Sequence, residues 1–276
     1  MNEDLEGSQS ATGPRELLQD VTITVPVKID SPDRARNLRV VTGYLMTRFK
    51  ASLVIAEEGD AVLSVLDQWR GRFRHISCPS RADGLFWKTR LLNTAAEHAS
   101  TRWLLSYDAD VLVPTAQLSA AVNCLREGAA DMIYPYDGTC IDLPSDVSSA
   151  LEREPRLDLE PSLGTIRTLV GDSGALTCVG GALMMSREKF VACGMENERF
   201  AGWGGEDDER NRRLTMLGMR AGRAQGPLYH LHHRVAVPTP AEKAQHQANL
   251  AECARIFSMS REELRTEARR GLRPAG

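Results

Sequence analysis

The sequence predicts an α/β fold, a mainly parallel, Rossmann-like sheet flanked by helices. Three observations predict it. Short apolar runs rich in β-branched and aromatic residues stand at 21–27, 53–56 and 103–107. Amphipathic stretches of helical period separate them. Acidic or turn-forming residues close the runs, as at Glu57-Glu58-Gly59-Asp60 and Asp108-Ala109-Asp110. Strands that alternate with helices in this way form a parallel sheet covered on both faces. Ligands then bind beyond the carboxyl ends of the strands.

Each element follows from its own pattern. Val21-Thr22-Ile23-Thr24-Val25-Pro26-Val27 reads as a buried strand. Ser31-Pro32 supplies an N-cap and a proline at the first helical position. The helix it opens carries Leu38, Val41, Leu45 and Met46 on one face. A strand is expected at 53–56, a helix over 61–70, a short strand near 74–77 and a helix from about 87 to 98. Residues 103–107 form the strand that runs into Asp108, followed by a helix over 115–126 and a strand at 131–134. Pro, Asp, Ser and Glu dominate 137–172, which reads as a long connection with one short helix. A strand at 180–186, a helix starting at 187, a helix over about 207–218 and a short strand at 227–233 complete the domain. The tail from 240 is expected to be helical, with Leu250, Cys253, Ala254 and Phe257 as its apolar stripe.

These boundaries imply a disordered tail over 1–18, a main α/β domain over 19–240 and a helical extension over 241–276 that packs on it. A net charge of −3 gives no general attraction to nucleic acid or anionic membrane. The six cysteines form no CxxC pair, which argues against a zinc ribbon, and their scatter suggests a reducing compartment. No run of 18 apolar residues occurs and the N-terminus is polar, so no integral membrane segment and a cytoplasmic location are expected.

Three clusters carry chemistry. Asp108-Ala109-Asp110 places two carboxylates one residue apart at a strand end, where one can ligate a hard divalent cation and the other a ribose hydroxyl. A solvated turn would show the same residues. Gly202-Trp203-Gly204-Gly205 allows close backbone approach to a ligand and offers an indole plate for a sugar face. Glu206-Asp207-Asp208-Glu209 then opens a helix with more acids than its dipole requires, and one of them could act as a general base. His230-Leu231-His232-His233 holds three of the six histidines. On a strand His230 and His232 share a face, whereas at a strand end all three could swing toward a metal.

GGALMMSREKF followed by FAGWGGEDDERNRRL resembles the C-terminal catalytic half of the β-1,4-galactosyltransferase family. Polypeptide N-acetylgalactosaminyltransferases and bacterial chondroitin polymerases are similar there. VPVKIDSPDRARNL resembles the family's opening strand and uridine loop, and FWKTRLLNTAAEHA the helix before its DxD strand. The resemblance spans roughly residues 21–235 and implies the GT-A (nucleotide-diphospho-sugar transferase) fold. The Lys28–Asp33 loop departs from the galactosyltransferase pattern toward bacterial family-2-like enzymes.

Carried onto this chain, the resemblance implies that Asp110 ligates Mn2+ or Mg2+ with His230 and His233, although the register could fall on His232 instead. It implies that Asp108 meets the ribose, that Pro26, Val27 and Arg34 surround uracil and diphosphate, and that Gly181 of the glycine pair lies at the donor. Trp203 and Gly204 would touch the nucleotide sugar, Glu206 and Asp208 the acceptor, and Asp207 would be the catalytic base. The implied activity moves a hexose or N-acetylhexosamine from a UDP-sugar to the hydroxyl of a carbohydrate or small-molecule acceptor. Asp207, where retaining relatives carry Asn, favours inversion. Rival readings are a nucleotidyltransferase, which would want a basic Gly-rich phosphate loop near the first strand, and a non-catalytic nucleotide-sugar-binding module.

Overall fold

The computed structural model describes residues 16–154, 158–167, 178–235 and 237–272. Strand β1 (Glu16–Val27) leads to helix α1 (Pro32–Arg48) and strand β2 (Phe49–Glu58). A four-residue helix α2 (Val62–Val65), a 3-10 turn (Asp67–Trp69) and β3 (Arg74–Cys78) follow. Next come α3 (Lys88–Glu97), β4 (Trp103–Tyr107), β5 (Val111–Leu112), α4 (Thr115–Arg126) and β6 (Met132–Tyr134). The connection beyond them holds β7 (Cys140–Asp142), α5 (Ser145–Arg153) and β8 (Thr165–Ile166). The chain continues through β9 (Ala182–Ser186), α6 (Arg187–Ala192), α7 (Glu206–Met216), β10 (Ala221–Arg223), β11 (Leu228–His230), α8 (Pro240–Phe257) and α9 (Arg261–Arg270).

Seven strands form the main sheet in the order β10-β6-β9-β4-β1-β2-β3. β1 runs parallel to β2 and to β4, so Val27 and Tyr107 end at the same edge. β9 is the exception, antiparallel to both β4 and β6. Its start therefore lies where β4 ends, and the Asp108 amide donates to the Gly181 carbonyl at 2.8 Å. That reversal brings the glycine pair beside the DxD sequence.

A second sheet, β5-β11-β7-β8, has strands of two or three residues. They are too short to leave a period in the sequence, and three-quarters of this sheet was expected to be turn or loop. It ties the segment after Asp110 to the histidine cluster: Tyr229 pairs with Leu112, and the Leu231 amide donates to the Asp110 carbonyl at 2.8 Å.

Local chemistry explains α1. Ser31 caps it by accepting from the Arg34 amide, Pro32 stands in its first turn, and Leu38, Val41 and Leu45 are buried. Four expectations need correction. The strand starts at Glu16 and buries Leu18, so residues 16–18 are not tail; residues 1–15 lie outside the described residues. The helix expected over 61–70 is broken, because Leu66 (φ −109°, ψ 29°) leaves the helical region. The connection over 137–172 carries two strands and a helix, while 155–157 and 168–172 lie outside the described residues.

The fourth correction concerns α8. Its buried face is Asn249, Cys253 and Ile256, whereas Leu250 and Phe257 are exposed. Asn249 is inside because its amide nitrogen donates to the Ala201 and Gly204 carbonyls, both at 2.9 Å. A buried amide with its donors satisfied is a stable arrangement, so polarity did not force this position outward. The helix thereby holds the Trp203 loop from behind. α9 joins the same core through Leu264, and Ile256 belongs to it as well.

Candidate active site

A cleft of about 500 Å³ opens at the carboxyl edge of β1 and β4. Pro26, Val27, Arg34, Asp108, Asp110, Gly181, Trp203, Gly204, Glu206, Asp207, Asp208, His230 and His233 all line it. Five separate stretches of sequence therefore meet in one place.

On one wall Asp110, His230 and His233 offer ligand atoms that all lie within 4.8 Å of one another. Asp110 Oδ2 is 3.5 Å from His233 Nε2 and 3.9 Å from His230 Nε2. One carboxylate with two imidazoles is a donor set that suits Mn2+ and its neighbours among the divalent metals. Burial lowers the His230 pKa, against the pull of Asp110, and so favours the neutral form that ligates. Burial opposes ionisation of Asp110, but His230, Arg34 and His233 outweigh it and hold that carboxyl below its usual range. Arg34 Nη1 donates to Asp110 Oδ2 at 2.8 Å.

The question of which histidines converge is settled by where β11 stops. Strand geometry would have paired His230 with His232, but the strand ends at His230. Beyond it the His232 carbonyl accepts from Asn37 Nδ2 (3.1 Å) and from Arg36, and its amide donates to Ser148 Oγ (2.9 Å). The turn fixed by these bonds returns His233 to the side of His230, their ring centroids 5.2 Å apart.

Elsewhere along the cleft, α7 begins at Glu206 behind Gly204 and Gly205, both with φ +93°. That left-handed pair is what a side chain would strain. The four acids then divide. Glu209 turns inward to a buried pair with Arg213 (2.7 Å), while Glu206, Asp207 and Asp208 line the cleft. Asp207 Oδ1 accepts from Arg210 Nη2 at 2.8 Å, and Arg210 is itself held by buried Glu196 at 3.1 Å. Trp203, 83% exposed, stacks on His246 of α8 at the mouth (centroids 5.6 Å, interplanar angle 24°).

Lys88, the first residue of α3, is the group the sequence reading passed over. Its Nζ stands 3.1 Å from Asp108 Oδ2, 3.4 Å from Asp207 Oδ2 and 3.6 Å from Glu206 Oε1. One cation shared by three acids satisfies them unequally. Asp207 has Arg210 as well, and the two cations outweigh burial to keep it below the carboxylate range. Asp108 has only Lys88 against burial, Asp207 and Asp110, and is pushed up to about 7. The lysine's own pKa is raised well above ordinary, because the three acids outweigh its burial. A lone lysine at a helix start reads as a solvated charge, and only tertiary structure shows three carboxylates around it.

Gly180 sets the clearance behind Asp207. A Cβ at Gly180 would lie 2.5 Å from Asp207 Oδ2, whose side chain Arg210 and Lys88 already fix. Gly180→Ala is expected to displace that carboxylate and lower turnover by about 10²-fold with little change in thermal unfolding. Initial rates beside a melting curve would check this.

Comparison with known proteins places the fold. The mannosyltransferase PcManGT from Pyrobaculum calidifontis, solved in complex with GDP-Man and Mn2+, superposes with a TM-score of 0.52 at 19% identity. The match covers 93% of this chain and 70% of that one. The chain has the GT-A fold. Residues 166–234 of this GT-A chain match the family described as the N-terminal domain of galactosyltransferase. Beta-1,4-galactosyltransferase 7 of Mus musculus and of Homo sapiens are each 42% identical over 50 residues, 18% of this chain. Those 50 residues are 15% of each relative's length. The family match takes in the glycine pair, the Trp203 loop, α7 and the histidine cluster. It leaves out Asp108 and Asp110, which the fold itself brings to the site. Among the described residues no helix is long and apolar enough to cross a membrane.

Proposed function

We propose that this protein transfers a hexose or N-acetylhexosamine from a UDP-sugar to an acceptor hydroxyl, with a divalent cation and with inversion at the anomeric carbon. The observation that carries the reading is that Asp110, His230 and His233 cluster in the same cleft that Asp207 lines. A bound Mn2+ or Mg2+ would neutralise charge developing on the departing nucleoside diphosphate. Asp110, His230 and His233 would hold it, and their donor atoms are close enough to converge on one ion.

The chain's own groups supply the remaining chemistry. Pro26 and Val27 form the floor for the base, Asp108 accepts from the ribose, and Gly181 lies at the donor, packed so closely on Leu228 that a Cβ would stand 2.9 Å from it. Arg34, in the first turn of α1, offers its guanidinium to the diphosphate. Trp203 and Gly204 bound the sugar, while Glu206 and Asp208 orient the acceptor. Asp207 takes the proton of the attacking hydroxyl on the face opposite the leaving group. A single displacement of that kind inverts configuration, and an anomeric coupling constant measured on the product would test it.

The choice of uridine rests on the likeness to galactosyltransferases over 166–234, since the fold neighbour was solved with GDP-Man. A thermal-shift series separates the two. UDP with Mn2+ at a hundredfold excess over Kd should stabilise the fold by about 2.7 kcal/mol, a rise of about 5 °C in Tm for a chain of this size. GDP should give less. A larger shift with GDP would reassign the base, and no shift with either nucleotide would count against a nucleotide-sugar site of any kind.

A further inference from the structure

The middle of the small sheet is His230. Register sets it opposite Val111, next to Asp110, on one side and beside Asp142 on the other. β7 and β8 pair Asp142 with Thr165, so Arg167 follows two residues on, its amide donating to the Cys140 carbonyl at 2.8 Å. Gly164 permits this approach, because a Cβ there would lie 2.4 Å from the Asp142 carbonyl oxygen. His230 Nδ1 stands 3.0 Å from Asp142 Oδ1 and 2.8 Å from Arg167 Nη2. Arg167 also grips Asp142 through Nε (2.9 Å to Oδ2) and through Nη2.

One ring nitrogen cannot serve both contacts. A neutral imidazole carries a single proton. With the proton on Nδ1, that N–H donates to Asp142, and the Nε2 lone pair faces Asp110 and His233. With the proton on Nε2, Nδ1 accepts from Arg167 and no lone pair is left for a cation. We propose that Asp142 is the positioning residue that fixes His230 in its cation-binding tautomer, and that Arg167, freed from Nδ1 by that choice, turns its charge to the donor diphosphate. Arg167 stays anchored to Asp142 through Nε and already lines the cleft. The proposal rests on the metal-dependent reading above. It assigns functions to two residues in the stretch over 137–172, a long connection of the kind that commonly forms lids and binding loops, in which the sequence marked no particular residue.

The two residues should act with different signs. Calorimetric titration of Mn2+ should show about 10–100-fold weaker binding to Asp142→Asn, the usual size of an outer-sphere effect on a metal site. Arg167→Met removes the competing donor and a nearby positive charge, so its Mn2+ affinity should equal or exceed that of the unaltered protein. UDP titrated into Mn2+-saturated Arg167→Met should bind about tenfold more weakly, as expected for a lost charge-assisted hydrogen bond. A merely structural role would lower Mn2+ affinity in both variants together, and that outcome overturns the proposal. Mn2+ binding to Asp142→Asn within threefold of the unaltered protein overturns it too, and leaves the metal-dependent reading standing. Failure of the unaltered protein to bind Mn2+ sinks both. Should Asp142→Asn fail to fold by circular dichroism, Arg167→Met decides alone: retained Mn2+ affinity with weakened UDP supports the proposal, and any other pairing overturns it.

Discussion

Replacing Asp207 with Asn is expected to cut turnover by about 10²–10⁴-fold while changing the Kd for UDP, measured with Mn2+ present, by less than threefold. The side chains differ in charge and basicity but hardly in shape. Asn can still accept from Arg210, which now bonds Asp207 Oδ1 at 2.8 Å. What it cannot do is take a proton. Lys88 and Arg210 keep Asp207 ionised despite its burial, so it enters the reaction as an acceptor. The same pair makes it a weak base in the ground state. It would draw the proton only as the acceptor hydroxyl begins to bond to the sugar and becomes acidic, which ties proton transfer to the displacement. Initial rates with a metal-saturated enzyme, set beside calorimetric UDP binding, would test this. Turnover near that of the unaltered protein would refute the assignment of the base.

Much of this site could be read in the sequence because its parts are local signals. Asp108 and Asp110 follow a buried strand, three glycines surround Trp203, and histidines crowd 230–233. Each needs only a few residues of context. The frame was legible for the same reason: Ser31-Pro32 announces α1, and α4 spans the expected residues 115–126. The groups that went unread depend on contacts across the chain. Lys88 meets Asp207 across 119 positions, and Asn249 meets Gly204 across 45. No period or motif links such pairs. Asp142 sits on a strand of three residues and Arg167 directly after one of two, both too short to alternate visibly. In α8 the apolar residues misled, since Leu250 and Phe257 face out while a hydrogen-bonded Asn faces in. Strand geometry left the histidine register open, because the strand ends at His230 and only the turn beyond it brings His233 to that side.

Lys88→Met should be the most destabilising exchange in the cleft, by about 3 kcal/mol, the low end of the range for leaving buried charges without a partner. The low end applies because Lys88 is 13% exposed and its three acids between 14% and 26%, so water relieves part of the loss. Met keeps the apolar stem and removes only the charge. Glu206, Asp207 and Asp108 would then repel one another, with Arg210 left to hold Asp207 alone. If charge is the cause, removing one of the acids must give part of the stability back. Asp207→Asn in the Lys88→Met background should therefore melt above Lys88→Met itself, although each single change removes a contact between the two residues. Neighbouring charges couple in this non-additive way, whereas independent packing defects add. Thermal unfolding of the two single variants and the double variant completes the cycle. A double variant that melts lower still, by the sum of the separate losses, would mean that Lys88 supports the cleft through its packing and that the carboxylates do not depend on its charge.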